Sequence, residues 1–251
     1  MKYETLTFKV EKNTAVITLN RPDSANAMNA QMMDELLHIS VQCDTNPEVR
    51  AVLFLAEGPI FCGGGDLRAF VDAGDEVSVK LTKCAARFHS SIAVFTRMKA
   101  PIIVAVNGIA AGGGLSIVTI ADYVVAGESA QFVVAYTAAG LSPDGSATYH
   151  LPRRIGDSRA RELMLTNRWL DSATALDWGL VNRVVSDNEV DQSGIDLAAS
   201  LASGSLPAMG AVKDLLRESY HNSLETQMEL EEKSIAKLAG SPDGQEGMKP
   251  L

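Results

Sequence analysis

Two glycine runs and one acid are the residues of this chain best suited to chemistry. Gly63-Gly64-Gly65 and Gly112-Gly113-Gly114 each follow an apolar, strand-like segment, VRAVLFLA at 49–56 and IIVAV at 102–106. Further along, Asp144 lies in Ser142-Pro143-Asp144-Gly145. A backbone N–H left free at a helix start stabilises a developing negative charge, and a carboxyl held near it can carry a proton. Two N–H groups from separate turns can converge on one oxygen, which is how an oxyanion hole is built. Neither run fits G-x-G-x-x-G or G-x-x-x-x-G-K-[ST], so dinucleotide and P-loop readings fail. By pattern alone each run fits a tight turn equally well, and Pro-Asp-Gly is also the signature of a turn aspartate.

Other reactive groups form weaker patterns. His38 and His221 have no partner pattern, whereas His150, close to Asp144, is expected to line a pocket. Cys62 adjoins the first glycine run without an evident base, which points to packing. The spacing of Cys43, Cys62 and Cys84 matches no metal motif, so no metal is expected, and their odd number closes no disulfide framework. Arg153, Arg154, Arg159 and Arg161 make a local basic patch, read as a solvated face or subunit contact.

The elements that must position these groups follow from periodicity. TLTFKVEKNTAVITL at 5–19 alternates and reads as two strands around a turn at Glu11-Lys12-Asn13. Asn29 can cap a helix whose apolar face is Met33, Leu36, Leu37 and Val41. Residues 49–56 and 102–106 are apolar throughout, as strands covered on both faces require. A long helix is predicted over 77–98, with Leu81, Cys84, Ala85, Phe88, Ile92, Phe95 and Met98 at helical spacing. Helices are predicted from Ser158 and from Ser172 to a cap at Gly179, then a strand over 180–185. Helices follow over 190–203, 208–220 and 223–239. No fixed-period repeat is present.

The 251 residues are 46% hydrophobic and 21% charged, enough to bury a sizeable core. A net charge of -9 argues against nucleic acid and anionic lipid as partners. No apolar run reaches the roughly 18–20 residues that span a bilayer, and the N-terminal stretch lacks a signal-type core. The expectation is a cytoplasmic protein that does not engage membranes.

The segments LNRPDSANAMN, FCGGGDL, KAPIIVAVNGIAAGGGLSIVTIADYVVA and LDWGLVNRVV, in that order and spacing, resemble the crotonase superfamily, the enoyl-CoA hydratase/isomerase proteins. The resemblance runs from about Leu6 to Gly247. It implies an α/β fold, a crotonase-like spiral of β-β-α units with a C-terminal helical subdomain. The division expected is a core over 1–189 and a helical trimerisation region over 190–251, in a homotrimer or dimer of trimers. It implies an acyl-CoA thioester substrate and no cofactor, since coenzyme A is part of the substrate. Carried over by position, the oxyanion hole would be the N–H groups of Gly65 and Gly113. Ser24, Ala25 and Asn26, together with Gly65, Asp66, Leu67, Arg68, Gly113 and Tyr136, would hold the substrate. Glycine stands at 65 where the family usually has alanine.

The departures from the family pattern select the reaction. Hydratases of the family carry two glutamates at positions that are Ser116 and Tyr136 here. Hydration needs one group to activate water and another to protonate the neighbouring carbon, so efficient hydratase activity is not expected. Asp144 matches the acid of the isomerase branch, which shuttles a proton along an enoyl-CoA. Leu141, Tyr136 and nearby alanines give it apolar neighbours. In the 4-chlorobenzoyl-CoA dehalogenase branch the matching aspartate attacks an aromatic ring. A histidine matching His89 accompanies it, and Tyr136 stands where that branch has tryptophan. Shape-determining positions are expected at Phe70, Val71, Ala86, Phe132 and Tyr136. The readings are therefore an enoyl-CoA isomerase first, an aryl-CoA dehalogenase-like hydrolase second, and a non-catalytic acyl-CoA-binding relative third.

Overall fold

The structure is a computed structural model that describes residues 2–249. The N-terminal hairpin pairs β1 (Leu6–Glu11) with β2 (Thr14–Leu19). Its turn is Lys12 and Asn13, both with positive φ, the geometry that matches strand twist in a two-residue hairpin. Asn29 caps α1 (Ala30–Thr45) by accepting from the Met32 N–H. Next come β3 (Ala51–Ala56), α2 (Leu67–Val71), α3 (Val77–Arg97), β4 (Ile102–Val106) and β5 (Ile109–Ala111). The chain continues through α4 (Gly113–Ile120), β6 (Tyr123–Gly127), β7 (Gln131–Val133), α5 (Ala147–Ile155), α6 (Asp157–Thr166) and β8 (Leu170–Asp171). It ends with α7 (Ser172–Trp178), β9 (Arg183–Val185), α8 (Val190–Ser203), α9 (Leu206–Ser219), α10 (Leu224–Ala239) and α11 (Pro242–Gly247).

The larger sheet has the order β1-β2-β3-β4-β6-β9, parallel except for the first pair. Its central strands alternate between two packed layers. Val52, Phe54, Ile102 and Val104 join the main core with α1 and α3, whereas Ala51, Leu53, Ile103 and Ala105 pack against Val190, Ala198 and Ala202 of α8. This is why the segments at 49–56 and 102–106 carry no polar alternation.

A second sheet, β5-β7-β8, runs beside the first. Two single bridges extend it, Cys62 to Ala110 and Met28 to Gly65. The same unit therefore recurs: a large-sheet strand, a short extended segment in the second layer, then a helix. Asn26 and Asn107 tie these corners. Asn26 Nδ2 donates to the Glu57 and Ile60 carbonyls at 2.8 Å each, and Asn107 Nδ2 donates to those of Ala56 and Gly58. The spiral of β-β-α units is present although no sequence period announces it.

Three boundaries differ from the sequence reading. Helix α5 lies where none was predicted; Pro152 within it and the left-handed Gly145 and Ser146 before it mask the helical pattern. Helix α9 begins before Pro207, which sits in the first turn where its missing N–H costs nothing. Helix α8 is a layer of the core, so a break at residue 190 falls inside packed structure. The helices with few buried residues are α9, α10 and α11. Among the described residues no single helix is long and apolar enough to cross a membrane.

Candidate active site

The two glycine runs meet edge to edge. The Cys62 N–H donates to the Ile109 carbonyl, and the Ala111 N–H donates to the Cys62 carbonyl at 2.8 Å. Gly64 has φ +95°, and a Cβ added there would lie 3.0 Å from the Ala111 carbonyl oxygen and 3.5 Å from Gly113 N. Only glycine serves at a position that combines that φ with such close backbone.

This stitching leaves two N–H groups free. Met28 bonds to Gly64 O and to the Asp66 N–H, the atoms flanking Gly65, so in this parallel bridge the Gly65 N–H points away from its neighbour. Gly113 is the first residue of α4, where no N–H has an intrahelical partner. Both glycines line one cavity of about 210 Å³, and Asp144 and Tyr136 line it too. Met28, Met33, Phe70, Leu81, Cys84 and Phe88 make its apolar wall.

The acid is held by side chains. Tyr136 Oη donates to Asp144 Oδ1 at 2.7 Å. Burial first, and the Asp144 carboxylate second, push the Tyr136 phenol well above its usual range, so it remains a donor. Ser116 Oγ donates to the Asp144 carbonyl at 3.0 Å and lies 3.5 Å from Tyr136 Oη. The Gly145 N–H donates to His89 Nε2 at 3.1 Å, and Asp144 Oδ2 is 3.6 Å from the same nitrogen. The side chains of Ser116 and Tyr136, at the two positions where a hydratase would carry glutamates, thus both converge on Asp144. The Asp144 side chain is 35% exposed, so polar partners surround it as much as apolar ones.

The other candidates divide. Ser24, Ala25 and Arg68 stand at or near the surface, and Leu67 joins the cavity wall. Asn26 is fully buried and its side chain is consumed by the corner, with Oδ1 accepting the Arg21 N–H at 2.7 Å, so it offers a ligand no side-chain atom. Asp66 caps α2 and pairs with Arg21 at 3.1 Å, which is a structural duty. Of the shape-determining positions, Phe70 and Tyr136 line the cavity. Val71 is 76% exposed, Phe132 is buried elsewhere, and Ala85 rather than Ala86 faces inward. Leu81, Cys84, Ala85 and Phe88, at helical spacing on α3, belong to this wall, which helical spacing alone does not distinguish from a core because the two have the same composition.

His150 does not line this site. It contacts Ser146 Oγ at 2.9 Å and faces a separate cavity of about 510 Å³ between α4, α5 and α9. That larger cavity brings together no free N–H pair and carboxylate, so the smaller one is the site for chemistry. Arg154 is structural: it donates to the carbonyls of Thr119, Leu180 and Ala121. Burial pushes the Cys62 thiol up to about 12, which removes it as a nucleophile. Among the described residues no group of acids, histidines and cysteines could hold a metal.

Comparison with known proteins identifies the architecture. The model of the enoyl-CoA hydratase/isomerase family matches residues 9–250. The 1,2-epoxyphenylacetyl-CoA isomerase of Escherichia coli K12 is 34% identical over 95% of this chain and 92% of its own. The 4-chlorobenzoyl coenzyme A dehalogenase-2 of Arthrobacter sp. is 32% identical over 91% and 83%. Among solved structures, an enoyl-CoA hydratase from Polaromonas sp. JS666 superposes with TM-score 0.92 at 29% identity, covering 97% of this chain and 95% of that one. With two free backbone N–H groups and a carboxylate around one cavity of a β-β-α spiral, the chain belongs to the enoyl-CoA hydratase/isomerase family of the crotonase superfamily.

Proposed function

We propose that the protein is an enoyl-CoA isomerase in which Asp144 carries the proton. The observation behind this reading is the convergence of Ser116 and Tyr136 on Asp144, which leaves one carboxylate in the cavity and no second one for water. The Asp144 carboxylate removes a proton from the α-carbon of a 3-enoyl-CoA. The electron pair moves into the thioester carbonyl, giving a dienolate whose oxygen lies against the N–H groups of Gly65 and Gly113. Asp144 then returns the same proton two carbons away and the 2-enoyl-CoA forms, with atoms and charge balanced. The Tyr136 hydroxyl orients the carboxylate through Oδ1 and leaves Oδ2 for the transfer. No cofactor is needed beyond the coenzyme A of the substrate.

A second reading makes Asp144 a nucleophile on an aryl-CoA, and the Arthrobacter relative together with the proximity of His89 supports it. Attack on the halogen-bearing ring carbon would expel halide and leave an aryl ester for water to cleave. Against it, the Nε2 lone pair of His89 is already engaged by the Gly145 N–H. One panel of enoyl-CoA and 4-halobenzoyl-CoA thioesters, read for both isomerisation and halide, tests both. Asp144→Asn should lower isomerisation by about 10²- to 10⁴-fold, the usual worth of a positioned acid–base group, while thioester binding persists. Unchanged turnover in that variant overturns the isomerase reading. Halide release by the wild type favours the second reading, and tight binding without any turnover favours a non-catalytic relative.

Residues of α9 to α11 supply the oligomer in this reading. Leu216, Tyr220, Leu224, Met228 and Ile235 are large, apolar and exposed there, which suits burial between subunits of a homotrimer or dimer of trimers. Light scattering distinguishes these states. The three buried free thiols suit a reducing cytoplasm.

A further inference from the structure

The Asp144 carbonyl and the Gly145 N–H are the two ends of one peptide unit, and two helices grip them separately. Ser116 Oγ, on α4, donates to the carbonyl at 3.0 Å. His89 Nε2, on α3, accepts the N–H at 3.1 Å. An amide nitrogen can only donate, so Nε2 is unprotonated and the imidazole proton sits on Nδ1. The alternative partner, Asp144 Oδ2 at 3.6 Å, lies beyond hydrogen-bond length.

The carbonyl end also accepts the Ala147 N–H at 3.1 Å, so it is the N–H end that depends on His89. Gly145 has φ +58°, and a Cβ on it would meet Phe88 Cε1 at 2.4 Å and Ser116 Cβ at 2.9 Å. The backbone is therefore pressed against the same two helices without a side chain of its own. Rotation of this peptide plane would break both the Ser116 and the His89 bonds and loosen the loop that carries Asp144. Fixing both ends of the plane holds the loop against α3 and α4, with the carboxylate within reach of Tyr136.

We propose that His89 is a positioning residue that acts as a hydrogen-bond acceptor for the Gly145 N–H, rather than as a base. The proposal rests on the reading of Asp144 as the proton carrier, and two variants with two readouts test it. His89→Gln retains an acceptor but no base, whereas His89→Leu retains bulk without an acceptor. His89→Gln should keep kcat within about twofold of wild type. His89→Leu should lower kcat about three- to tenfold, the worth of one ordinary hydrogen bond, with KM little changed. Equal impairment of both variants would make His89 a base and overturn the proposal, and so would two unimpaired variants.

The second readout needs no reaction. The chain contains only two Asp-Gly bonds, at 144–145 and 243–244, so carbonyl-labelled Asp with nitrogen-labelled Gly yields two amide signals. One should shift upfield in His89→Leu and stay in place in His89→Gln. An unmoved signal in His89→Leu refutes the clamp whatever Asp144 does. An active Asp144→Asn variant with that signal displaced in His89→Leu refutes the proton-carrier reading alone.

Discussion

Gly65 and Gly113 reach the cavity through backbone alone, whereas Asp144 reaches it through a side chain held by Tyr136, on a loop held by Ser116 and His89. The first wall turns at Gly64, where no side chain fits, and is stitched by backbone hydrogen bonds. The second depends on Tyr136, Ser116 and His89, one hydrogen bond each. The backbone wall should therefore fail all at once when its backbone moves, and the side-chain wall should fail in increments. Such a division lets one wall vary by substitution while the other keeps its backbone geometry.

The largest effect is expected at the backbone wall. Gly64→Ala forces a side chain into positive φ, 3.0 Å from the Ala111 carbonyl. Turnover should fall by about 10²- to 10³-fold, comparable to losing one oxyanion donor, while circular dichroism shows the fold retained. A variant that turns over normally would erase the contrast between the two walls.

Tyr136→Phe probes the second wall. It removes a hydrogen bond to a charged acceptor, typically about 1.5–3 kcal/mol, so kcat should fall roughly 10- to 100-fold. The same variant carries a pH signature. The Tyr136 phenol is raised above its ordinary 10.0, so the folded state holds its proton more tightly than the unfolded chain does. That contribution is complete below pH 10 and is lost as pH rises beyond it. Urea melts of the wild type should weaken above pH 10, and those of Tyr136→Phe should weaken less.

The smallest effect is expected from Gly65→Ala. Its Cβ would stand 3.2 Å from Phe70 Cε2, a ring edge that can yield by a few tenths of an ångström, and its N–H remains. Steady-state kinetics should change by no more than about twofold. A loss as large as that of Gly64→Ala would mean that Phe70, not the backbone, sets the donor position.

Much of this protein was legible residue by residue. The hairpin turn at Lys12-Asn13, the Asn29 cap, the long α3 and the Gly179 cap all follow from local rules, because short-range sterics and hydrogen bonds decide them. Helix α5 was not legible, since Pro152 and the left-handed residues before it oppose a helix locally and packing overrides them. Nor was the duty of α8, whose small residues cover the larger sheet although its sequence reads like the exposed helices after it.

The sequence by itself determined that two glycine turns follow buried strands, that Asp144 lies in a turn, and that Ser116 and Tyr136 are not carboxylates. Those are statements of residue type and local order. The tertiary structure alone decided that both turns line one cavity, and that Ser116, Tyr136 and His89 all meet at Asp144 and Gly145. The reason is distance along the chain. His89, Ser116, Tyr136 and Asp144 lie on α3, on α4 and in the segment between β7 and α5, and only the stacking of β-β-α units brings those pieces within hydrogen-bond reach.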